Sequence, residues 1–339
     1  MIVGVVKMKK TFSFLYACKS LDLLHRKSFR FSCAQDSKSK NLDMKLKGLA
    51  LLALTSTLLG CSSLKRYEIH QNPTSVEEKQ EITRIKPEKI YAILLNIGPE
   101  EKLFEKSFDK TYLSLLEAGI SPERIFVSSR KRVSFSHPQF SASSQGVKRL
   151  FKELSSKVNE NDAVFFFNFN HGELRYMNPL QNESTLFIEK VKERNEIVKK
   201  EIGEIEFSLM AKQLKNKYSV YCFPQCYGGG FAKRMGEGNG IGMSVSRANE
   251  VAYMLPWTAD ESTKHFIPAL FGELSEKERI KADKNGDGTI SIGEAFEHSS
   301  ERNFFSNPVI SWTSMRNTPQ LYFDNVNPYL LSFDRKAKK

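Results

Sequence analysis

Two short stretches of this chain carry residue types that could do covalent chemistry together. One is Phe167-Asn168-Phe169-Asn170-His171-Gly172-Glu173; the other is Pro224-Gln225-Cys226-Tyr227-Gly228-Gly229-Gly230. A thiolate is a nucleophile and an imidazole can take or give a proton, provided the two come within hydrogen-bond reach or meet across a substrate. His171 and Cys226 stand 55 positions apart, so only the fold can bring them together.

Elimination favours this pair. Cys222 sits inside the apolar run YSVYCF, where a buried core cysteine is the ordinary reading. Cys226 follows that run in a glycine-rich turn, whose backbone N–H groups could face a developing oxyanion. Among the histidines, His70 is in a polar stretch, His137 precedes a proline, His265 is in a loop-like segment and His298 follows a helix start; His171 alone follows a strand pattern and precedes a glycine. The plainer alternatives are a turn histidine, an inert thiol, or a Cys222–Cys226 disulfide. One extended strand would place that disulfide poorly.

A second motif concerns metal. Asp283-Lys284-Asn285-Gly286-Asp287-Gly288-Thr289-Ile290-Ser291-Ile292-Gly293-Glu294 fits the twelve-residue EF-hand loop. Asp283, Asn285, Asp287, Ser291 and Glu294 supply side-chain oxygens at positions 1, 3, 5, 9 and 12. Thr289 offers its carbonyl at 7, and Gly288 the sharp turn at 6. Helical patterns over Leu274–Ala282 and Ile292–Glu301 flank it. The expectation is bound calcium; the alternative is a hydrated acidic turn.

The elements that must position these groups alternate. Lys89–Gly98, Arg124–Ser129, Ala163–Phe169 and Tyr218–Phe223 are apolar runs of strand length. Leu103–Leu116, Val147–Val158 and Phe207–Lys217 carry helical spacing. The pattern predicts an α/β fold: a mostly parallel sheet flanked by helices on both faces. In such sheets function collects at the carboxyl ends of strands, where His171 and Cys226 both fall. A charged insertion, about Glu173–Glu206, reads as helical in its second half.

Through FNFNHGE and PQCYGGGF the chain resembles the legumain and caspase-like cysteine peptidases of clan CD. Further matches are AGISPERIFVSS, SRANEVAY over Ser246–Tyr253 and TPQLYF over Thr318–Phe323, so the resemblance spans about residues 89–324. It implies a caspase-like sandwich over 89–330, with Cys226 as nucleophile and His171 as general acid and base. It also implies an oxyanion hole from the amides of Gly172 and Cys226, and substrate contacts from Ser246 and Glu250. Many bacterial legumain-like sequences carry a similar loop before Glu-Ala-Phe, matched by Glu294-Ala295-Phe296, which implies a structural calcium clamp. Three departures stand out. Asn170 precedes the His-Gly pair, no Arg-His pair lies within Asn96–Phe108, and the insertion after His171 is long enough to cover the cleft.

The N-terminal region predicts an address. Residues 1–43 read as an over-extended start, because Met44 opens a complete secretory signal, MKLKGLALLALTSTLLG, over 44–60. Leu58-Leu59-Gly60-Cys61 resembles the bacterial lipobox, which implies lipid on Cys61 and anchorage without a spanning helix. Ser62 favours the outer membrane or cell surface over the inner membrane. Residues 61–88 read as the lipidated cysteine and a polar tether.

Charge then loses its force as a guide to partners. The 339 residues hold 51 Lys+Arg and 39 Asp+Glu, a net +12, yet residues 1–60 hold eleven of those basic and three of those acidic groups. Little excess remains beyond residue 60, and no nucleic-acid partner is expected. The expected function is a membrane-anchored, calcium-stabilised cysteine endopeptidase acting on peptides. The alternative is an inactive relative that binds calcium and peptide.

Overall fold

The computed structural model describes residues 67–71, 85–98, 101–130, 138–178, 181–193, 196–252, 265–305 and 318–333. The expected start, signal, Cys61 and most of the tether lie outside them. Among the described residues, no helix is long and apolar enough to cross a membrane.

The α/β expectation holds. Eight strands form one sheet: β1 (Glu68–Gln71), β2 (Ile90–Asn96), β3 (Ile125–Ser129), β4 (Gln139–Phe140), β5 (Ala163–Asn168), β9 (Tyr218–Phe223), β10 (Gly240–Ser244) and β11 (Gln320–Phe323). Their order is β1-β11-β10-β9-β5-β2-β3-β4. All neighbours are parallel except β10 and β11.

The central strands are buried along their whole length, because helices cover both faces. Alternate residues serve opposite cores. Ile90, Ala92 and Leu94 pack with Phe104, Phe108 and Tyr112 of α1 (Glu101–Glu117), with the helical residues 265–271, and with α6 (Ile292–Phe305). Tyr91, Ile93 and Leu95 pack with α2 (Ser144–Ser155), α3 (Glu204–Ala211) and α4 (Gly228–Met235). Remaining before α6 is α5 (Glu276–Ala282). His265 therefore lies in a helical stretch rather than a loop.

Two expectations are corrected. Among the described residues, the insertion has no helix before Glu204: it folds as an antiparallel three-stranded arm, β6 (Gly172–Asn178), β7 (Gln181–Glu193) and β8 (Glu196–Gly203). Glu and Lys, good helix formers, dominate its composition. Cross-strand pairing, with buried Leu186 opposite buried Ile202, overrides that local preference. The arm's base is fixed by buried Glu183, which pairs with Arg175 and accepts the Ile205 amide of α3 at 3.3 Å.

Part of the expected tether also joins the sheet. Residues 68–71 form the edge strand β1, parallel to β11. Its side chains show no apolar alternation. It is held by main-chain pairing, by His70 stacked on Tyr322 with ring centroids 4.4 Å apart, and by a 2.8 Å hydrogen bond between His70 and Gln320.

Candidate active site

β5 and β9 are parallel neighbours, with Phe167 opposite Cys222. Their carboxyl ends therefore deliver His171 and Cys226 to one edge of the sheet, beside the strand order's reversal at β2. In the buried layer beneath, Asn168 Nδ2 donates to Gln225 Oε1 at 3.0 Å and ties the two strand ends together. Asn170 turns the chain after β5, its side-chain oxygen accepting the His171 amide at 2.8 Å.

Direct contact follows at the next residue. A Cβ on Gly172 would overlap the carbonyl oxygen of Cys226 and stand 2.7 Å from Gln225 Cγ. No side chain fits there, so the His171-Gly172 and Cys226 backbones touch. The two amides expected to form an oxyanion hole belong to these contacting segments. The His171 ring meets the Phe104 edge-on, centroids 5.3 Å apart, which limits its orientation from the α1 side.

Cys226 is half-buried, and its Sγ donates to the Ala252 carbonyl at 3.5 Å. Burial pushes the thiol up from its ordinary value, with backbone hydrogen bonds offsetting part of the rise. Cys222 is buried in β9, and burial pushes its thiol up much further. Both are free thiols, so the disulfide alternative is not realised.

The glycine run corrects another expectation. Gly228–Gly230 do not form an open turn; they begin α4. Gly228 N–H donates to Gln225 O at 3.2 Å and Gly230 N–H to Tyr227 O at 3.3 Å. Their missing side chains serve packing: a Cβ on Gly229 would stand 2.5 Å from the Ala248 nitrogen. The sharp feature falls one residue earlier. Tyr227 has φ 58° and ψ 17°, the single described non-glycine residue in the left-handed region. Sequence reading missed it, since tyrosine gives no such signal.

Ser246 and Glu250 act on this turn through the backbone. Buried Ser246 donates from Oγ to Gln225 O at 3.1 Å, so its hydroxyl braces the turn rather than facing a substrate cleft. The carbonyl of Glu250 accepts the Tyr227 amide at 2.8 Å. Its carboxylate accepts from Arg247 Nη1 at 3.2 Å, a pairing that engages the side chain expected to meet substrate. Under the same strand ends lies a hollow of about 50 Å³, lined by Phe167, Cys222, Pro224, Met243, Val245 and Phe266 among others. None of its described lining side chains is charged.

The EF-hand-like loop lies elsewhere, between α5 and α6. Gly288 adopts φ +80°, as the sixth position requires, and Asp283 Oδ2 accepts its amide at 2.7 Å. Asn285 accepts from Asp287 and Asp287 from Thr289, at 3.0 and 2.9 Å. Glu294 is buried; Oε1 accepts the amides of Lys284 and Asn285, and Oε2 those of the Ser291 amide and hydroxyl. Glu294 N–H returns to Ser291 Oγ at 3.2 Å, so Ser291 and Glu294 also form a capping box for α6. The donor set and the curl suit a hard cation. The carboxylates themselves are not gathered: among the described residues, no group of three or more His, Cys, Asp or Glu is close enough to hold a metal.

No family model matches the sequence, and no curated protein matches it. Solved structures do resemble the fold at low identity. A protein from Geobacter sulfurreducens is 10% identical with a TM-score of 0.41, covering 73% of this chain and 98% of its own. A secreted C11 cysteine protease from Bacteroides thetaiotaomicron, in complex with an irreversible peptide inhibitor, is 13% identical with a TM-score of 0.33. That match covers 68% of this chain, which spans 63% of the protease's length.

Proposed function

We propose that this chain is a cysteine endopeptidase working through Cys226 and His171, anchored to the bacterial envelope by lipid on Cys61. The observation that carries the reading is the contact of Gly172 with the Cys226 carbonyl, which sets a histidine and a half-buried thiol at adjoining strand ends. His171 takes the Cys226 proton, and the thiolate attacks the peptide carbonyl carbon. Amides of Gly172 and Cys226 receive the oxyanion. As the C–N bond breaks, His171 returns the proton to the departing amine. Water, deprotonated by His171, then hydrolyses the thioester and restores the thiol. The uncharged hollow below the turn suits an apolar substrate side chain, since a buried unpaired charge is costly there. Calcium in the 283–294 loop, when bound, would clamp α5 to α6 with oxygen ligands from Asp283, Asn285, Asp287, Thr289, Ser291 and Glu294.

The thiol's hydrogen bond to Ala252 O favours a second reading, an inactive domain that binds peptide and calcium without turnover. Alkylation by iodoacetamide separates them. In the enzyme, Cys226 reacts faster at pH 7 than a free thiol. His171→Ala slows it at least tenfold and moves its rate profile to higher pH, because the imidazole that takes the proton is gone while burial still favours the protonated thiol. Equal rates in wild type, His171→Ala and a free thiol would leave the binding reading. Peptides with an aliphatic residue before the scissile bond are the first substrates to test.

A further inference from the structure

A path of hydrogen bonds runs from the edge of the sheet to the residue after Cys226. Arg247 grips Glu68 on β1 with two nitrogens, Nη2 to Oε1 and Nε to Oε2, the latter at 3.3 Å. Its Nη1 reaches Glu250 Oε1, and its amide reaches Glu250 Oε2, both at 3.2 Å. Thr318, next to β11, adds a hydroxyl to Glu250 Oε1 at 3.4 Å. The Glu250 carbonyl then holds the Tyr227 amide at 2.8 Å.

The last link matters because Tyr227 is left-handed. A non-glycine residue stays there only while its surroundings hold it. We infer that Glu68 is a positioning residue for Cys226, acting through Arg247 and Glu250 on the Tyr227 backbone, so that docking of β1 sets the geometry of the proposed nucleophile. The Arg247 contact holds the Glu68 carboxyl below its ordinary range, as expected for a carboxylate that stays charged in this role. β1 is four residues long and lies on the sheet edge within the expected tether, so displacement of the tether would reach the site by this path. The bearing on catalysis rests on the peptidase reading; the bearing on Tyr227 does not.

The test uses the full-length chain in detergent, with Glu68→Ala and Glu68→Gln. Hydrogen exchange is followed in peptides covering 224–231 and, as reference, 90–96; alkylation of Cys226 is followed in parallel. Exposed ion pairs are weak, so Glu68→Ala is expected to speed exchange over 224–231 by about two- to fivefold and to slow alkylation by a similar factor. Exchange over 90–96 stays unchanged, and Glu68→Gln, which keeps one of the two hydrogen-bond acceptors, recovers part of the loss. Glu160→Ala, which removes a surface pair with Lys217 at the opposite end of the strands, alters neither readout. Unchanged exchange over 224–231, or equal acceleration in both peptides, overturns the inference. Local acceleration in a protein whose wild-type Cys226 reacts no faster than a free thiol supports the positioning role and removes the peptidase reading alone.

Discussion

The main chain of Gly172 rests against the carbonyl oxygen of Cys226 with no room for a side chain between them. The clash introduced by a methyl group is with backbone on one side and with buried Gln225 on the other, so neither neighbour can swing aside. Gly172→Ala is expected to destabilise the domain by about 1–3 kcal/mol, the cost of overpacking a close contact. It should also slow Cys226 alkylation beyond what that loss of stability explains. Urea midpoints and alkylation rates measured together check this; a variant as stable and as reactive as wild type would show that the strand ends adjust independently.

Asn168 and Gln225 carry the second link between those strand ends, one hydrogen bond inside the buried layer. Asn168 Oδ1 and Gln225 Nε2 have no partner there, so each side chain depends on the other for its satisfaction. Removing either leaves the survivor buried and unpaired, at about 1–3 kcal/mol. Asn168→Leu and Gln225→Leu should therefore be less than additive, with the double variant recovering about 1 kcal/mol. A double-mutant cycle of urea midpoints reads this coupling. A coupling near zero would mean that the pair is incidental to the junction.

These relationships explain what the sequence could and could not reveal. The central strands were legible because apolar runs such as Ala163–Phe169 have no other home than a sheet covered on both faces. That sheet puts His171 and Cys226 at one edge. The arm is hard to read because Glu196–Gly203 has helix-forming composition, while its strand character depends on partners in β7. β1 was invisible for a related reason: polar Glu68–Gln71 is held by main chain, a ring stack and one arginine from far along the chain. Ser246, expected to contact substrate, directs its hydroxyl to the Gln225 carbonyl, a partner that its residue type does not announce. The left-handed turn at Tyr227 has no signature in its residue type.

Strand β9 also makes a prediction about alkaline pH. Burial pushes the Tyr221 hydroxyl up to about 12, and it pushes the neighbouring Cys222 thiol well above its ordinary value. Both groups keep their protons longer in the folded chain than in the unfolded one. Their contribution to stability is thus complete below the unfolded values, about 8.5 for a thiol and about 10 for a tyrosine, and is lost as pH rises through them. Each group should remove up to about 1.4 kcal/mol per pH unit across its own window. Urea midpoints from pH 8 to 11 should fall steadily in wild type and less steeply in Tyr221→Phe and Cys222→Ala. A flat wild-type profile would contradict the burial of these groups.

The loop between α5 and α6 gives the last prediction, because one carboxylate has two uses there. Glu294 completes the capping box with Ser291 at the start of α6. As the twelfth residue of the loop, it is also the side chain from which a calcium ion would draw most. If calcium binds, the ion replaces amide donors around Glu294 and stabilises the folded chain by mass action, about 2.7 kcal/mol at a hundredfold excess over its dissociation constant. For a domain of this size that is a rise in Tm of about 5–10 °C. Asp283→Ala should abolish the rise while barely changing Tm without calcium. Ser291→Ala should remove about 1 kcal/mol of cap and so lower Tm by a few degrees even without the ion, leaving most of the calcium response. Glu294→Ala should lose both effects, which neither a cap alone nor an ion site alone would produce. If wild type and Asp283→Ala melt alike across the calcium titration, the loop is a capped acidic turn and calcium leaves the account of this protein.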